Sequence, residues 1–292
     1  MGLRVLALAI LASTVLVNAQ AAPAAWVVRV QPGQVVNGSP VLFSVKPSKP
    51  LASLTANWLG NQVPFVLNPK DKTWYGLGGV ALKTKPGTYT LKLVGTSGQG
   101  AETAFEKHFS IGKGKYRKIA IKVSKRFTEP NPEQVRKITE DKATKQEAFS
   151  KSSAEREWSG NFAAPVDATI SDMFGTQRTI NGRVQSTHQG LDYAAGAGTP
   201  VAAVNAGTVL LAGPLYFEGN CVVLDHGQGL QTLYMHLSEI AVKAGERVDR
   251  GQKLGLVGGT GRATGPHLHL GVRWRGEYLD PGTLLKLRLP KS

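Results

Sequence analysis

The stretch Gly265-Pro266-His267-Leu268-His269 places two of the chain's six histidines two residues apart, directly after a glycine-rich run. If residues 267–270 form a strand, both imidazoles project from the same face, with their Cα atoms about 6.6 Å apart. Such a pair suits one metal ligand beside one catalytic base. A His-x-His pair is common by chance, so its meaning depends on partners elsewhere in the chain.

The composition is typical of a globular, turn-rich protein. The 292 residues are 41% hydrophobic and include 34 glycines, and short β-branched runs favour strands over helices. The formal net charge of +15 favours contact with an anionic wall polymer or membrane surface, although a solubilising basic surface explains it equally well. The single cysteine, Cys221, excludes an intramolecular disulfide, and its apolar neighbours indicate a buried thiol.

Residues 1–24 are predicted to be a secretory signal peptide. Arg4 precedes an apolar run over residues 5–17, and small residues follow at Ala19, Ala21, Ala22, Ala24 and Ala25. The run is too short for a membrane span, and cleavage after Ala19, Ala21 or Ala24 fits equally well. We therefore expect export to the periplasm or cell envelope, which makes nucleic acid the poorest of the anionic partners.

Residues 25–112 are predicted to form an N-terminal β-sandwich. Turn residues separate six candidate strands, at residues 26–30, 41–45, 54–59, 73–77, 88–94 and 104–111. Residues 85–91 resemble the penultimate strand of an immunoglobulin-like sandwich. The only histidine of this region, His108, has no ligand at metal-binding spacing, so the domain is interpreted as a positioning or regulatory module.

Residues 113–160 are predicted to be a charged helical linker. Asn131, Pro132 and Glu133 have the order of an N-cap, a first helical residue and an acid in the first turn. Acidic residues lie four positions before lysines in three pairs, Glu133/Lys137, Asp141/Lys145 and Glu147/Lys151. Because apolar residues are few, this helix is expected to be mostly solvated.

Residues 161–292 return to a glycine-rich β pattern. Strands are expected at residues 201–211, 221–225, 230–237 and 268–274, with two short strands within 242–255. The strand and turn pattern of residues 242–255 resembles that of biotinyl and lipoyl carrier domains. The lysine that is modified in those carriers is not evident here. We infer a shared β-roll geometry rather than a carrier function.

The histidines of this region suggest a metal site. His188 and Asp192 form a His-x-x-x-Asp pair on one face of an extended chain. A neutral imidazole and a carboxylate suit Zn²⁺, whose catalytic sites use three protein ligands and leave a position for water. His269 can supply the third ligand, and since only one of His267 and His269 is needed for that, its neighbour is free for proton transfer.

Two further histidines of this region, His236 and His226, differ in their expected roles. His236 is predicted to share a strand face with Tyr234, and it is a second candidate for acid–base or oxyanion work. There is no His-Glu-x-x-His helix, so histidine is favoured as the base. His226, in Asp225-His226-Gly227, is interpreted as a turn residue.

The chain resembles the M23 (lysostaphin/LytM-type) zinc metallopeptidases over about residues 162–281. The matching motifs are Phe174-Gly175, His188-Gln-Gly-Leu-Asp192, Gly198-Thr-Pro-Val201, Asp225-His-Gly227, Tyr234-Met-His-Leu237, Thr260-Gly-Arg-Ala-Thr-Gly-Pro-His-Leu-His269 and Tyr278-Leu-Asp-Pro281. Where the family often continues with Phe-Glu, this chain has Leu270-Gly271, which we interpret as tuning of the pocket. The expected fold is mainly β, with the sandwich, the helical connector and a LytM-type antiparallel β-roll with a groove.

The resemblance also implies a function. It implies one Zn²⁺ per chain held by His188, Asp192 and His269, with His267 as the base and His236 stabilising the transition state. The implied activity is exported, zinc-dependent endopeptidase hydrolysis of stem peptides or cross-bridges in bacterial peptidoglycan, and the bond that is cut stays open. The alternative is a non-catalytic LytM-type module that binds cell wall or activates an amidase. Such relatives lack several of these five positions, and all five are present here. The sandwich and helix are hypothesised to cover the groove.

Overall fold

A computed structural model describes residues 26–290, so the predicted signal peptide lies outside the described residues. The strands of the N-terminal region are β1 (Val27–Gln31), β2 (Val35–Val36), β3 (Pro40–Lys46), β4 (Ser53–Trp58), β5 (Asn61–Pro64), β6 (Val66–Asn68), β7 (Thr73–Gly79), β8 (Gly87–Thr96) and β9 (Glu102–Gly112). They form a four-stranded sheet of order β1-β3-β7-β6 and a five-stranded sheet of order β2-β9-β8-β4-β5. All pairs are antiparallel except β2 with β9.

Aromatic side chains fill the space between these two sheets. The ring of Phe43 on β3 lies 5.3 Å from that of Trp58 on β4 and 5.9 Å from that of Phe109 on β9. Trp58 is completely buried, and its indole N–H donates to the carbonyl of Gly79 at 3.1 Å. The two sheets therefore pack face to face as the strand pattern predicts, while an immunoglobulin-like character stays a prediction.

Residues 113–160, which we call the arm, are not helical throughout. They contain β10 (Lys118–Ile121), a short 3₁₀ helix (Lys125–Phe127) and α1 (Pro132–Ser150). The predicted helix start is confirmed, because the Asn131 side chain accepts a hydrogen bond from the backbone N–H of Gln134 at 2.9 Å and Pro132 is the first helical residue. The strand forms where Ile119 and Ile121 alternate with exposed Lys118 and Ala120.

The charge pairs of α1 differ from those expected. Only Glu147 and Lys151 pair as predicted, at 2.7 Å. Asp141 is buried and pairs with Lys137 at 2.5 Å, while Lys145 bonds to Glu218. The reason is that α1 is not a free connector: the second oxygen of Asp141 accepts from the backbone N–H of Tyr216 at 2.6 Å.

The C-terminal region is a larger sheet system. Its elements are β11 (Ile170–Asp172), β12 (Gln177–Ile180), β13 (Val184–Thr187), β14 (Gly190–Tyr193), β15 (Pro200–Ala202), β16 (Gly207–Leu215), β17 (Gly219–Asp225), β18 (Leu230–Ile240), β19 (Arg247–Val248), β20 (Lys253–Val257), β21 (Leu268–Trp274), β22 (Glu277–Leu279) and α2 (Pro281–Leu284). The main path runs β11-β14-β21-β18-β17-β16-β19, and β15, β20 and β22 attach to it. The strand predicted at 268–274 is confirmed, whereas 201–211 divides into β15 and β16.

The arm joins this region as a strand. β10 pairs in parallel with β12, and β13 completes a three-stranded sheet of order β10-β12-β13. Tyr116, which precedes β10, donates its hydroxyl proton to the carbonyl of Asn37 in the sandwich. Gly175 has a φ of +80°, and a Cβ there would lie 2.0 Å from the Tyr116 ring, so only glycine fits.

The sandwich and the C-terminal region also touch directly. A Cβ at Gly79 would lie 2.6 Å from Leu279, which shows how closely β7 approaches β22. The backbone N–H of Asp280 donates to the carbonyl of Gly38 at 2.8 Å. One continuous cluster of buried apolar side chains spans both regions.

Candidate metal centre and cleft

Three predicted ligands converge on one point. Asp192 on β14 lies directly opposite His269 on β21, and His188 comes two residues before β14. His188 Nε2 is 3.0 Å from both Asp192 Oδ1 and His269 Nδ1, and His269 Nδ1 is 2.7 Å from Asp192 Oδ1. All three side chains are buried.

This donor set fits a cation. His188 Nδ1 lies 2.9 Å from the carbonyl of Met173, so Nδ1 carries the proton and the Nε2 lone pair faces the cluster. A tetrahedral zinc ion with bonds of about 2.0–2.1 Å would place its ligand atoms about 3.3 Å apart, close to the observed spacing. The site can therefore hold a metal ion, and two nitrogens with one oxygen suit zinc.

Two residues that the sequence did not single out hold the carboxylate ligand in place. Asp192 Oδ2 accepts from Arg178 at 2.6 Å, and Arg178 also binds Asp172 at 2.5 Å. Burial would raise the pKa of Asp192, but its close contacts with His188 and His269 outweigh burial and keep that pKa far below its usual range. Asp172 lies 3.4 Å from His188 Nδ1, so one acid supports two of the three ligands.

His236 reaches the site through a β-bulge. The register of β17 with β18 shifts between Asn220↔Leu237 and Val222↔Tyr234, and His236 has a φ of +65°. The predicted shared face of Tyr234 and His236 is therefore wrong. Tyr234 stays in the core, where its hydroxyl accepts from the Val204 amide at 2.9 Å, while the bulge turns the imidazole of His236 towards the cleft.

His267 and His236 lie side by side next to the donors. Their ring centroids are 4.8 Å apart, and His267 Nε2 is 4.0 Å from Asp192 Oδ1. Each Nδ1 lies 2.8 Å from a backbone carbonyl, of Gly265 for His267 and of Thr260 for His236. Nδ1 therefore carries the proton in both rings, and both Nε2 atoms are left as acceptors.

The environment of His236 favours its neutral form. Burial, followed by the charges of His269 and His267, lowers the pKa of His236 to about 3. A neutral ring whose Nδ1–H donates to the Thr260 carbonyl presents an unprotonated Nε2 to the cleft, and the lowered pKa makes that nitrogen a weak proton acceptor. Which of the two histidines acts as base, and which stabilises the transition state, stays a prediction.

The remaining histidines lie elsewhere. His226 follows β17 in a turn, as predicted, but its imidazole is completely buried, with Nδ1 2.7 Å from the Ala206 carbonyl and Nε2 2.8 Å from the Thr232 hydroxyl. His108 is exposed on β9 and contacts Thr90 at 2.9 Å. Neither side chain faces the metal centre.

A cleft of about 350 Å³ opens in front of the donors. One wall is apolar and includes Ile119, Ile121 and Val123 of the arm. Arg262, Thr264, Gly265 and Pro266 also line the cleft, so one of the glycine-rich segments found in the sequence borders it. The lining residues come from the arm and the C-terminal region and none from the sandwich, while covering of the groove by the N-terminal region stays a prediction.

The comparisons with known proteins identify the family. A sequence model described as peptidase family M23 matches residues 186–281. A crystal structure from Pseudomonas aeruginosa, assigned to peptidase M23, is 32% identical with a TM-score of 0.65, and the match covers 86% of this chain and 95% of that one. The chain belongs to peptidase family M23.

Characterised relatives match part of this M23 chain. The peptidoglycan DD-endopeptidase ShyA of Vibrio cholerae is 42% identical over 132 residues, which is 44% of this chain and 30% of that protein. The DD-carboxypeptidase/endopeptidase Mpg of Neisseria meningitidis is 40% identical over 121 residues, 41% of this chain and 28% of that protein. The M23 chain thus spans less than a third of the length of these relatives.

Proposed function

We propose that this M23 chain is an exported zinc endopeptidase that hydrolyses peptide bonds in the stem peptides or cross-bridges of bacterial peptidoglycan. The observation that carries the proposal is the cluster of His188, Asp192 and His269 beside the imidazoles of His236 and His267 in an open cleft. The name peptidoglycan DD-endopeptidase, which three relatives bear, supports peptidoglycan as the substrate.

The chain's own residues divide the work. His188, Asp192 and His269 would hold Zn²⁺, which when bound supplies Lewis acidity and lowers the pKa of water towards about 7. His267 accepts a proton at Nε2, because the Gly265 carbonyl fixes its ring with Nδ1 protonated. His236, fixed by Thr260, lies beside His267 and is assigned the stabilisation of the developing charge, which requires its Nε2 to receive a proton as that charge forms.

The arm contributes to substrate placement in this proposal. Its apolar wall, with Ile119, Ile121 and Val123, excludes water from one side of the cleft. Electrostatic interactions between the reacting groups are stronger where water is excluded than in open solvent. Peptidoglycan is the expected partner, an anionic wall or membrane surface fits the net charge of +15, and nucleic acid is not expected.

The proposal is tested with purified protein and cross-linked muropeptides, with and without a chelator, read by mass spectrometry together with metal content. His269→Ala should lose both the metal and cleavage. His267→Ala should keep the metal and lose cleavage by about 10²- to 10⁴-fold. His108→Ala, which changes an exposed histidine, is the control and should behave like the parent.

Two results would contradict the proposal. The first is cleavage that persists in the chelator, with His269→Ala indistinguishable from the parent. The second is a parent that binds muropeptides without cutting them, which would favour a non-catalytic wall-binding or amidase-activating module. Export is tested separately, by fusing residues 1–24 to a reporter enzyme and assaying it in the periplasm.

A further inference from the structure

Arg262 differs from the other arginines of the cleft in its partners. Arg178 is engaged by Asp172 and Asp192, and Arg117 is engaged by Asp172. Within residues 26–290, no carboxylate oxygen lies within 4.0 Å of the Arg262 guanidinium, and its recorded side-chain contact is the ring of Phe217 at 4.8 Å. Glu218, whose charge acts on Arg262, is bonded to Lys145.

The loop that carries Arg262 is firmly held. The Arg262 backbone N–H donates to the Phe217 carbonyl at 2.8 Å. The Thr260 hydroxyl donates to the Leu237 carbonyl at 2.8 Å and accepts from the backbone N–H of Asn220 at 2.9 Å. Gly261 has a φ of +70°, and a Cβ there would lie 2.3 Å from the Gly219 nitrogen. The backbone that carries the guanidinium is therefore preorganised.

The position of this guanidinium is also costly without an anion. Arg262 lines the cleft together with His236, His267 and His269. Burial lowers the pKa of Arg262; the charge of Glu218 acts in the opposite direction and that of Arg178 adds to the lowering, so the surroundings on balance disfavour the cation. A planar guanidinium binds a carboxylate through two parallel hydrogen bonds, and such charge-assisted bonds offset the cost of desolvation.

We propose that Arg262 binds a free carboxylate of the peptide substrate and makes the cleft selective for peptides that carry one beside the scissile bond. This inference rests on the proposed peptidase function and deepens it. A neutral bridge, such as one made of glycine, would leave the guanidinium of Arg262 without an anion. The cleft therefore selects acidic stem peptides against neutral bridges.

The test uses three synthetic peptides that share one D-alanyl amide bond. The first has a free carboxylate on the carbon that bears the scissile nitrogen. The second has a carboxamide at that carbon. The third has the same carboxamide but carries a free carboxylate on the residue before the scissile bond. The parent should cleave the first or the third about 10- to 100-fold better than the second, in kcat/KM, and the preferred peptide locates the carboxylate.

Variants of Arg262 separate selectivity from general damage. Arg262→Gln should abolish the preference, so that kcat/KM for the carboxylate peptides falls to the level of the carboxamide peptide. Arg262→Lys keeps the positive charge but loses the planar guanidinium that makes two parallel hydrogen bonds, so it should keep part of the preference that Arg262→Gln loses. Arg273→Gln is the matched control, because Arg273 also stacks on an aromatic ring, that of Phe149 at 4.0 Å, but does not line the cleft.

The outcomes distinguish this inference from the function on which it rests. Equal cleavage of all three peptides by the parent would overturn it, as would an equal loss on all three in Arg262→Gln. Calorimetric binding of the peptides to the His267→Ala protein measures the same preference without turnover. If no peptide is cleaved but the acidic ones bind about 10-fold more tightly, the peptidase function fails and the carboxylate site stands.

Discussion

Gly190 leaves the space that the third ligand occupies. A Cβ at this position would lie 2.3 Å from His269 Nε2 and 2.5 Å from the Leu270 carbonyl oxygen. Glycine is therefore required at position 190 of His188-Gln-Gly-Leu-Asp192 by packing against β21, which its sequence pattern alone does not show. It lets β14 approach β21 closely enough for Asp192 and His269 to share a cation.

Gly190→Ala should weaken metal binding by about 10- to 100-fold, because the added methyl group displaces the His269 ring. The measurement is a titration of the apoprotein with zinc in competition with a chromophoric chelator. Gly196→Ala is the control, since a Cβ at Gly196 would meet nothing within 4 Å. Equal affinities in the two variants would contradict this account.

The residue pattern predicted the donors but not their supports. His188, Asp192 and His269 follow from spacing and chemistry, and the structure brings them together. Asp172 and Arg178 were missed because their role depends on the pairing of β11 with β14, which places Asp172 opposite Asp192. The only signal in the sequence was an acid and an arginine on either side of Phe174-Gly175.

Among the elements, α1 has a role that its charge pattern concealed. The helix holds the hairpin of β16 and β17 through Asp141, which accepts from Tyr216, and through Lys145, which bonds to Glu218. The carbonyl of Glu218 in turn accepts from the backbone N–H of His236 at 2.8 Å. A helix outside the peptidase sheets thus supports the bulge that carries a candidate catalytic residue.

Asp141→Ala should lower the free energy of unfolding by about 1–3 kcal/mol, because it leaves the Tyr216 N–H without its partner. It should also reduce turnover more than metal binding, since Glu218 contacts His236 and not the metal donors. Urea denaturation and metal titration measure the two effects. Glu140→Ala, next to it on the same helix but exposed, should change neither.

Strand prediction succeeded where alternation was clean and failed where the register shifts. The strand at 268–274 is long, apolar and bounded by turn residues, so periodicity alone identified it. The bulge at His236 adds one residue to β18, and a period of two then assigns the wrong face to every residue beyond it.

At the scale of the whole molecule, the buried histidine away from the cleft makes stability depend on pH. His226 is completely buried, and burial lowers its pKa from 6.5 to about 4 despite the Ala206 hydrogen bond and the charge of Asp225. The unfolded chain therefore binds this proton first as the pH falls. The stabilisation is complete above pH 6.5 and is lost as the pH falls from 6.5 to 4.

This loss should amount to about 3 kcal/mol for His226 alone. It is measured as the difference in unfolding free energy between pH 7.5 and pH 4, in the parent and in His226→Gln. The variant should be less stable at pH 7.5 but lose less on acidification. His108→Gln should keep the full pH dependence of the parent's unfolding free energy. If the unfolding free energy of His226→Gln falls with pH as much as that of the parent, the assignment to His226 is wrong.

The contact between the sandwich and the C-terminal region could not be predicted from the sequence. It depends on Gly79 meeting Leu279 and on Asn37 meeting Tyr116, pairs that are 200 and 79 positions apart. No local pattern contains such information. The apolar wall that the arm contributes was missed for the same reason, since its parallel pairing joins Lys118 to Gln177.

The central place of β21 has a consequence for newly made protein. This strand lies between β14 and β18, yet it follows both of them in the chain, and both His267 and His269 arrive with it. Synthesis proceeds from the N-terminus, so the sandwich, the arm and the first two ligands exist before the third. A nascent chain that stops short of residue 267 has a sheet with a gap at its centre and only two of its three metal donors. The metal site is therefore completed only after His269 has been made, later than the sandwich, the arm and both of the strands that flank β21.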